Sequence, residues 1–438
     1  MGNQLTKSEL IEMDKKHFLH PTSNVKQQQE HGPSIIFKNA EGIYVEDIDG
    51  KKYIEGMSSL WNVNIGYGRK ELGEVAKEQI EQLSFSSAFS TYSHEPAIKL
   101  AAKVAELTPG DLDTVFFTSG GSEANDSAIK LARHYWNIQG QPERRKIISR
   151  KKAYHGVAIG ATSATGIPEF WKFAGLSPEF HHVDTTSSEE LKKIIEKEGP
   201  ETIAAFMAEP ILGAGGVIVP PKNYFKEVKE ICDQHGILFI ADEVITGFGR
   251  TGKMFGMEHW DVVPDMMTVA KGISSGYIPL GGVVMSNKVH QVLKDKTDGT
   301  LFHGYTYSGH PVGSAVALKN IEIIENENLV ENTSNMGEVL LEGLQKLEEE
   351  LKVLEDGRSV GLLAAIEIYE NAKTKEHFDT KHAPLIVQEA ANRGLICRAV
   401  TYDEADTVVL APPLIINKEQ IEEMLSILKE AIVAVTQK

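Results

Sequence analysis

The sequence predicts an α/β fold built on a mostly parallel β-sheet with helices on both faces. From about residue 100 onward, short apolar runs alternate with helix-like segments. These runs are almost continuously apolar, as expected for strands that are buried on both faces. The predicted strands are residues 114–118, 146–149, 203–208, 237–241, 266–270 and 282–285. Predicted helices separate several of them, for example residues 123–135 and 224–235.

The first 60 residues have a different pattern. They begin with a polar, helix-like stretch, and strand-like runs follow at residues 34–38 and 42–46. Turns rich in Gly, Asn and Asp are expected to join and follow these runs. Asp49-Gly50 lies between two short apolar pairs and predicts a hairpin turn.

The last 120 residues predict a smaller α+β domain. Residues 336–351 are typical of a charged amphipathic helix, and residues 361–368 form a short apolar run typical of a strand. We expect an N-terminal segment that packs with this small domain and a large domain between them. The expected boundaries are residues 1–60, 61–320 and 321–438.

Composition argues against several classes of protein. The formal net charge is −17, which disfavours binding to nucleic acid or to an anionic membrane. Cys232 and Cys397 have no metal-like spacing, so neither a zinc site nor a disulfide framework is expected. We find no apolar run near the roughly 18 residues of a membrane span and expect a cytoplasmic protein. Residues 1–6 match the loose N-myristoylation pattern, which often occurs by chance.

Three predicted strands end directly before a charged residue: Glu209, Asp242 and Lys271. In open α/β sheets, ligands bind beyond the carboxyl ends of the strands. A single charge at a strand end is most often a solvated turn residue. Three in one sheet instead indicate a binding site at that edge.

The chemistry of two of these groups fits pyridoxal 5′-phosphate (PLP). Lys271 begins a loop of small residues, where loss of hydration lowers an ammonium pKa and frees the amine for imine formation. A buried carboxylate such as Asp242 keeps a pyridine nitrogen protonated, and the ring then accepts electrons. The plain alternative for Lys271 is a surface lysine.

Other residues supply the remaining parts of a PLP site. Ser119-Gly120-Gly121-Ser122 lies between a predicted strand and a predicted helix, so backbone N–H groups and the helix N-terminus can bind a phosphate. Tyr154 and Val244 can cover the two faces of a flat ring. Taken singly, the glycines are an ordinary turn and Tyr154 is a half-buried loop aromatic.

Six motifs occur in order along the chain: Ser119-Gly120-Gly121-Ser122-Glu123-Ala124-Asn125, Tyr154-His155-Gly156, Glu209-Pro210, Asp242-Glu243-Val244-Ile245-Thr246-Gly247-Phe248-Gly249-Arg250-Thr251-Gly252, Lys271-Gly272 and His303-Gly304-Tyr305-Thr306-Tyr307-Ser308-Gly309-His310-Pro311. Together they resemble the class III aminotransferases of PLP fold type I. The resemblance covers almost the whole chain, and the ordered set is specific although no single motif is. It implies a mostly parallel seven-stranded sheet flanked by helices, plus a small α+β domain from both chain ends.

The resemblance also implies a role for each matching residue. Lys271 carries PLP as a Schiff base and then moves the substrate proton, and Asp242 binds the pyridine nitrogen. Thr306 reaches the phosphate of a neighbouring subunit, so the family implies a homodimer or a tetramer that contains it. The other implied cofactor residues are Gly120, Gly121, Ser122, Tyr154, His155, Glu209 and Val244.

The substrate residues rest on the same resemblance. Trp61 matches the aromatic wall of ω-aminotransferases, and Tyr154 is expected to contact substrate as well as the ring. Arg398 stands where the family often places an arginine for a substrate carboxylate, a task that suits a planar guanidinium. The alternatives are a core tryptophan and a surface ion pair. Weaker candidates for walls from a partner subunit are Phe85, Phe89 and Tyr92.

The expected reaction moves an amino group from an ω-amino acid or amine to pyruvate or a similar 2-oxo acid, by a ping-pong mechanism. One alternative is the diaminopelargonate aminotransferases, but they usually carry two adjacent tryptophans where this chain has only Trp61. A second is an aminomutase of the glutamate-1-semialdehyde type, which uses the same cofactor without a separate acceptor.

Three rival interpretations are weaker. Gly247–Gly252 fits the dinucleotide pattern G-x-G-x-x-G, but acidic residues precede it and no helix clearly starts within it. Extended to Lys253 it nearly forms a P-loop, although Met254 stands where Ser or Thr would bind Mg²⁺. His181-His182 has no matching ligand spacing for a metal. A purely binding role survives only if Lys271 is not linked to the cofactor.

Overall fold

The structure, a computed structural model, describes residues 5–437, and the myristoylation pattern lies mostly outside them. The strands are β1 (Phe37–Glu41), β2 (Tyr44–Asp47), β3 (Lys52–Glu55), β4 (Leu112–Thr118), β5 (Lys146–Arg150), β6 (Phe180–Val183), β7 (Ile203–Ala208), β8 (Leu238–Asp242), β9 (Met266–Val269), β10 (Gly281–Ser286), β11 (Leu354–Val360), β12 (Leu363–Ile368), β13 (Leu395–Ile396), β14 (Arg398–Val400) and β15 (Thr407–Leu410). The helices are α1 (Lys7–His17), α2 (Val25–His31), α3 (Ser58–Trp61), α4 (Lys70–Leu83), α5 (Glu95–Leu107), α6 (Gly121–Asn137), α7 (Ile159–Ala164), α8 (Pro168–Ala174), α9 (Ser188–Glu198), α10 (Tyr224–His235), α11 (Asn287–Lys296), α12 (Pro311–Asn326), α13 (Leu329–Glu350), α14 (Ala383–Asn392) and α15 (Lys418–Thr436).

The large sheet has seven strands in the order β4-β10-β9-β8-β7-β5-β6. Neighbouring strands from β9 to β6 run parallel, whereas β10 runs antiparallel to both β9 and β4. Every residue of β7, β8, β9 and β10 is buried. The predicted mostly parallel α/β sheet is therefore confirmed.

Alternate residues of the central strands face two different apolar clusters. In β7, Phe206 belongs to a cluster that also contains Phe225 of α10, whereas Met207 belongs to one that contains Leu131 of α6. This alternation follows from the two-residue repeat of a strand. Helices on both faces thus bury the central strands of the sheet and leave their ends open to a ligand.

The two ends of the chain meet in a small sheet with the order β1-β2-β3-β13. Leu395 of β13 pairs with Ile54 of β3 in parallel, so residues far apart in sequence share one ladder. A second small sheet, β11-β12-β15-β14, comes entirely from the C-terminal part. The boundaries expected at residues 60 and 320 remain a prediction.

The first predicted strand was wrong by three residues. It was expected at residues 34–38 but lies at Phe37–Glu41. Asn39, Ala40 and Glu41, expected to form a turn, pair with β2 instead, because cross-strand pairing outweighs weak intrinsic strand preference. The turn falls at Gly42, whose φ of 60° favours glycine.

The second hairpin turn was predicted correctly. Strands β2 and β3 are antiparallel, with Glu46 opposite Lys52. Asp47 Oδ1 accepts hydrogen bonds from the backbone N–H groups of Asp49 (2.9 Å) and Lys51 (3.0 Å). Gly50 has a φ of 84°, which a glycine adopts without strain.

Cys232 lies on α10 behind the large sheet, and Cys397 lies between β13 and β14. Both are free thiols with buried side chains. Among residues 5–437, none of the helices combines the length and apolar character that a membrane span requires.

Candidate active site

The three charged residues predicted at strand ends lie on adjacent strands. Glu209 follows β7, Asp242 ends β8, and Lys271 comes two residues after β9. Ala208 of β7 pairs with Ala241, and Asp242 pairs with Thr268 of β9. Parallel pairing brings the three ends to one edge of the sheet, and we call Glu209, Asp242 and Lys271 the strand-end cluster.

Lys271 starts a short 3₁₀ turn and has a φ of 46°, which is unusual for a residue other than glycine. Burial lowers the pKa of its ammonium from 10.5 to about 8. Asp242 and Glu209 oppose this lowering, and the charge of Arg398 adds to it. Near neutral pH, far more of this amine is therefore uncharged and nucleophilic than in an ordinary lysine.

The Asp242 carboxylate is buried and held by three neighbours. Its Oδ1 accepts a hydrogen bond from the Val244 N–H at 3.0 Å, and its Oδ2 accepts one from Asn125 Nδ2 at 2.8 Å. Nδ1 of His155 lies 2.7 Å from the same Oδ2. These contacts fix the direction in which the carboxylate faces.

Asn125 was not assigned a role in the sequence analysis, although it lies in one of the quoted motifs. Its Nδ2 also donates to the His155 backbone carbonyl at 2.6 Å. It lies one helical turn after Ser122 on α6. Helical spacing alone would place Asn125 on the same face as Ser122, and this signal could have identified it.

Glu209 is buried, and burial raises the pKa of its carboxyl group. Its two oxygens accept hydrogen bonds from the backbone N–H groups of Tyr154 (2.9 Å) and Gly213 (3.0 Å). Arg150 donates to the Glu209 backbone carbonyl. Glu209 thereby fixes the loop that carries Tyr154.

Gly120, Gly121 and Ser122 form the N-terminus of α6, which begins two residues earlier than predicted. A Cβ on Gly121 would lie 2.9 Å from Cγ1 of Val244, whereas a Cβ on Gly120 would meet nothing within 4 Å. The first N–H groups of a helix have no acceptor within the helix and attract anions. The contact with Val244 therefore requires glycine at position 121, and the helix N-terminus there can bind a phosphate.

The ring of Tyr154 is half-buried and packs at 5.2 Å between ring centroids against Phe170 of α8. Phe170 in turn lies 6.4 Å from Tyr402, on the loop after β14. The sequence analysis missed both Phe170 and Tyr402, because nothing near them in the sequence indicates a site. Tyr154, Phe170 and Tyr402 thus form a row of aromatic rings with Phe170 in the middle.

Trp61 and Arg398 lie beside the strand-end cluster. The guanidinium carbon of Arg398 is 4.9 Å from the centre of the Trp61 ring, and Lys271 Nζ is 5.9 Å from it. Trp61 is buried and Arg398 half-buried. Among residues 5–437, no carboxylate forms an ion pair with Arg398. A partly buried arginine without a carboxylate partner is ready for an anionic ligand.

Other predicted site residues lie on the surface of this single chain. Thr306 is exposed on the loop before α12. His303 Nε2 on the same loop lies 2.9 Å from Ser127 Oγ of α6, which attaches the loop to the outer side of that helix. The expected partner-facing aromatic residues, also exposed, are Phe85, Phe89 and Tyr92.

The rival motifs have ordinary explanations. Residues 247–252 are turns, and no helix of residues 5–437 starts within them. His181 Nε2 lies 3.5 Å from Glu198 Oε2, and His182 packs against Trp171. In the same part of the chain, His, Cys, Asp and Glu form no group of three able to hold a metal ion.

The arrangement fits PLP. It provides an amine of lowered pKa, an oriented carboxylate on the neighbouring strand and a helix N-terminus with open N–H groups, all around one edge of the sheet. The narrow contact of Gly121 with Val244 leaves no room for a side chain at that point. A ring with an aldehyde, a pyridine nitrogen and a phosphate matches these groups one by one.

Comparisons with known proteins show what the chain as a whole is similar to. A family model for class III aminotransferases matches residues 25–432. The chain is 40% identical to the putrescine–pyruvate aminotransferase of Pseudomonas aeruginosa, over 99% of this chain and 98% of that protein. Two solved structures are also similar. A transaminase from the marine bacterium Virgibacillus has a TM-score of 0.97 at 57% identity, with 98% of this chain and 99% of that chain covered. The ω-transaminase of Pseudomonas jessenii in complex with PMP has a TM-score of 0.94 at 39% identity and 98% coverage of both chains.

Proposed function

Because this chain belongs to the class III aminotransferases, we propose that it transfers an amino group from an ω-amino acid or amine to pyruvate or a similar 2-oxo acid. The cofactor is PLP. When bound, PLP supplies an aldehyde that condenses with amines and a protonated ring that withdraws electrons from the carbon being deprotonated. The residues of this chain bind and orient the cofactor and move the proton.

Lys271 is the group that moves the proton. Its amine has a lowered pKa because it is buried, so it accepts a proton near neutral pH more readily than an exposed lysine would. Asp242 would bind the protonated pyridine nitrogen, and its contacts with Val244, Asn125 and His155 fix the direction of its carboxylate.

The remaining residues hold the cofactor in place. The N–H groups at Gly121 and Ser122 would bind the phosphate, and a Cβ at Gly120 would meet nothing within 4 Å. Tyr154 and Val244 would cover the two faces of the ring, and His155 would support the nitrogen side through its contact with Asp242. Glu209 positions Tyr154 through its backbone N–H.

The substrate preference rests on one observation: Arg398, which has no carboxylate partner among residues 5–437, lies beside both Trp61 and Lys271. One free guanidinium matches the single carboxylate of pyruvate. The second carboxylate of 2-oxoglutarate would need another cation. An amine donor without a carboxylate needs only the Trp61 and Tyr154 surfaces, and the similarity to a putrescine–pyruvate enzyme supports this choice.

Initial rates with a panel of substrates test this proposal. Putrescine, 4-aminobutyrate and an arylalkylamine are each paired with pyruvate and with 2-oxoglutarate. We expect pyruvate to be converted to alanine at least about tenfold faster than 2-oxoglutarate is aminated. A preference for 2-oxoglutarate would overturn the acceptor assignment.

The two alternative activities have their own tests. Turnover of glutamate-1-semialdehyde with no added acceptor would favour an aminomutase. Amination of 8-amino-7-oxononanoate with S-adenosylmethionine as donor, faster than any reaction of the panel, would favour a diaminopelargonate aminotransferase.

We also propose that two copies of the chain complete each site. Thr306 is exposed on the surface of its own chain, yet its loop carries one of the family motifs. In a homodimer, alone or within a tetramer, Thr306 would bind the phosphate in the partner's site. The exposed aromatic side chains of Phe85, Phe89 and Tyr92 would line the same boundary. A cytoplasmic location stays a prediction from composition.

Subunit mixing tests the shared site. Lys271→Ala and Thr306→Ala chains are each prepared alone and then exchanged in one solution. We expect mixed dimers to recover part of the wild-type rate, because one of their two sites contains both intact residues. If one variant carries an affinity tag, co-purification of the untagged variant with it should show that exchange has occurred. Exchange without recovered activity would contradict a shared site.

A further inference from the structure

Arg250 lies in the glycine-rich segment at residues 247–252, which the cofactor site does not use directly. Its side chain is completely buried. Among residues 5–437 it has no acidic partner, and burial lowers the pKa of its guanidinium to about 9. A buried cation without a counter-ion is costly, so its hydrogen bonds must compensate for the lost hydration.

Four acceptors surround the Arg250 guanidinium. Nη1 donates to the backbone carbonyls of Leu362 (3.1 Å) and Pro412 (2.5 Å). Nη2 donates to Ser58 Oγ (2.9 Å) and Asn64 Oδ1 (3.0 Å). Arg250 therefore joins the large domain to the N-terminal segment and to the C-terminal part through one side chain.

The segment from Ser58 to Asn64, which includes the short and irregular α3, has a strained backbone. Ser58, Ser59 and Trp61 have φ values of 48°, 59° and 59°, in the left-handed region that residues with a Cβ rarely adopt. Such strain persists only where surrounding contacts hold it. Hydrogen bonds within the segment contribute, among them that from the Trp61 N–H to the Met57 carbonyl (3.0 Å). The long-range side-chain bonds of its two ends, Ser58 and Asn64, include one each from Arg250.

Each end is also tied to a second region. Ser58 Oγ donates to the Ala411 carbonyl at 2.7 Å. Asn64 Nδ2 donates to the Phe248 carbonyl at 2.9 Å, and the Asn64 carbonyl accepts from the Leu414 N–H at 2.8 Å. Removing Arg250 would take one long-range hydrogen bond from each end of the strained segment.

We propose that Arg250 is a positioning residue that holds the strained segment Ser58–Asn64 so that Trp61 lies against Arg398 and Lys271. It does not touch substrate. It acts through the two ends of the segment and so sets the distance between the Trp61 ring and the amine. The part of this inference that concerns substrate rests on the proposed role of Trp61 as a wall of the substrate site.

A guanidinium suits this task better than other side chains. Its fixed fork presents donors in two directions at once, here toward two backbone carbonyls and toward two side-chain oxygens. A lysine keeps the charge but donates from a single nitrogen. A methionine fills similar space but leaves all four acceptors without a donor.

The first measurement is hydrogen exchange of the cofactor-free protein. We compare wild type with Arg250→Lys and Arg250→Met, and with Arg144→Met as the control. Arg144 is partly buried and donates to backbone carbonyls far from this segment, including that of Gly236 at 3.0 Å. We expect peptides covering residues 57–64 to exchange at least about tenfold faster in Arg250→Met, with β8 protected. Lysine should restore part of the protection, and the control should not change these peptides.

The second measurement is a double-mutant cycle with Trp61→Ala, read on the KM for an arylalkylamine with pyruvate saturating. In the wild-type background we expect Arg250→Met to raise this KM about tenfold, with a smaller change in kcat. In the Trp61→Ala background Arg250→Met should change this KM less than about twofold, because the indole ring that Arg250 positions is already absent.

Two results would overturn the proposal: unchanged exchange at residues 57–64, or an equal effect of Arg250→Met in both backgrounds. If Arg250→Met does not fold, the same two criteria apply to Arg250→Lys. If Trp61→Ala alone leaves the donor KM unchanged, the proposed role of Trp61 as a wall of the substrate site is wrong. The exchange data then still decide whether Arg250 holds the segment.

Discussion

The strand-end cluster and the Trp61–Arg398 pair are built in different ways. Three adjacent, fully buried strands carry Glu209, Asp242 and Lys271 to one edge of the sheet. Trp61 and Arg398 come from opposite ends of the chain and are brought together by long-range contacts, among them the pairing of β3 with β13. The first group depends on the core of the fold, and the second on long-range contacts around it.

This difference separates common chemistry from specificity. A group fixed by the central sheet cannot move without disturbing the core, which suits the proton transfer shared by a whole family. A wall formed by outer segments can change with little effect on the core. The following predictions test whether the two regions are in fact independent.

Lys271→Ala should have the largest effect. Without the amine, proton transfer has no base, and we expect kcat to fall by at least about 10⁴-fold while the thermal unfolding temperature changes little. Steady-state kinetics and calorimetry measure the two quantities. Lys253→Ala is the control, because Lys253 is an exposed lysine in the same region. Near-normal turnover by Lys271→Ala would show that another group moves the proton.

Asp242→Asn should be the next most damaging. The amide keeps the shape but loses the charge opposite the pyridine nitrogen, and its NH₂ cannot accept from Asn125 and His155. We expect kcat to fall about 10²- to 10³-fold, with a much smaller change in cofactor affinity. Absorbance titration measures that affinity, and Asp233→Asn, at an exposed position of α10, is the control. Equal losses in affinity and turnover would mean that Asp242 only docks the cofactor.

Arg398→Leu should affect one substrate and spare the other. We expect kcat/KM for pyruvate to fall about 10- to 100-fold, because a charged hydrogen-bonded pair is lost. The amine half-reaction should change less than about threefold. The kcat/KM of Arg398→Lys for pyruvate should lie between those of wild type and Arg398→Leu, since an ammonium cannot form the two parallel hydrogen bonds of a guanidinium with a carboxylate. Arg393→Lys, at an exposed pair with Glu430, is the matched control. Equal loss for both substrates would contradict a carboxylate site.

The smallest effect concerns stability and pH. The folded protein holds the Lys271 amine at a pKa of about 8, against 10.5 when exposed, so the unfolded chain binds more protons between these values. The stability of wild type relative to Lys271→Met should therefore rise as pH increases from about 8 to about 10.5. Because the side chain is partly exposed, we expect only about 1–2 kcal/mol. Denaturant unfolding of cofactor-free protein measures the difference, and a constant gap would contradict the lowered pKa.

The same contrast explains how much the sequence could predict. The apolar strands and the charged residues that follow them are local patterns, and parallel pairing then places Asp242 beside Lys271 without further information. The glycine-rich turn that contains Gly121 could also be predicted from the sequence, because a predicted strand and a predicted helix flank it. The roles given to these residues remain predictions, although the structure brings most of them together.

Other features depend on contacts that no local pattern encodes. Phe170 packs between Tyr154 and Tyr402 only after distant segments of the chain fold against each other. The left-handed conformations of Ser58 and Trp61 contradict their intrinsic preferences, and tertiary contacts such as those of Arg250 impose them. The first strand was misplaced for the same reason, because pairing with β2 decided its position.

The two buried thiols provide a natural pair of reporters. Cys232 lies behind the large sheet, and Cys397 is the neighbour of Arg398. Burial raises the pKa of both thiols, that of Cys397 to about 12, so neither reacts with an alkylating reagent until its surroundings open. Alkylation for increasing times followed by mass spectrometry would measure the opening rate of each region separately, with native cysteines as the only reporters.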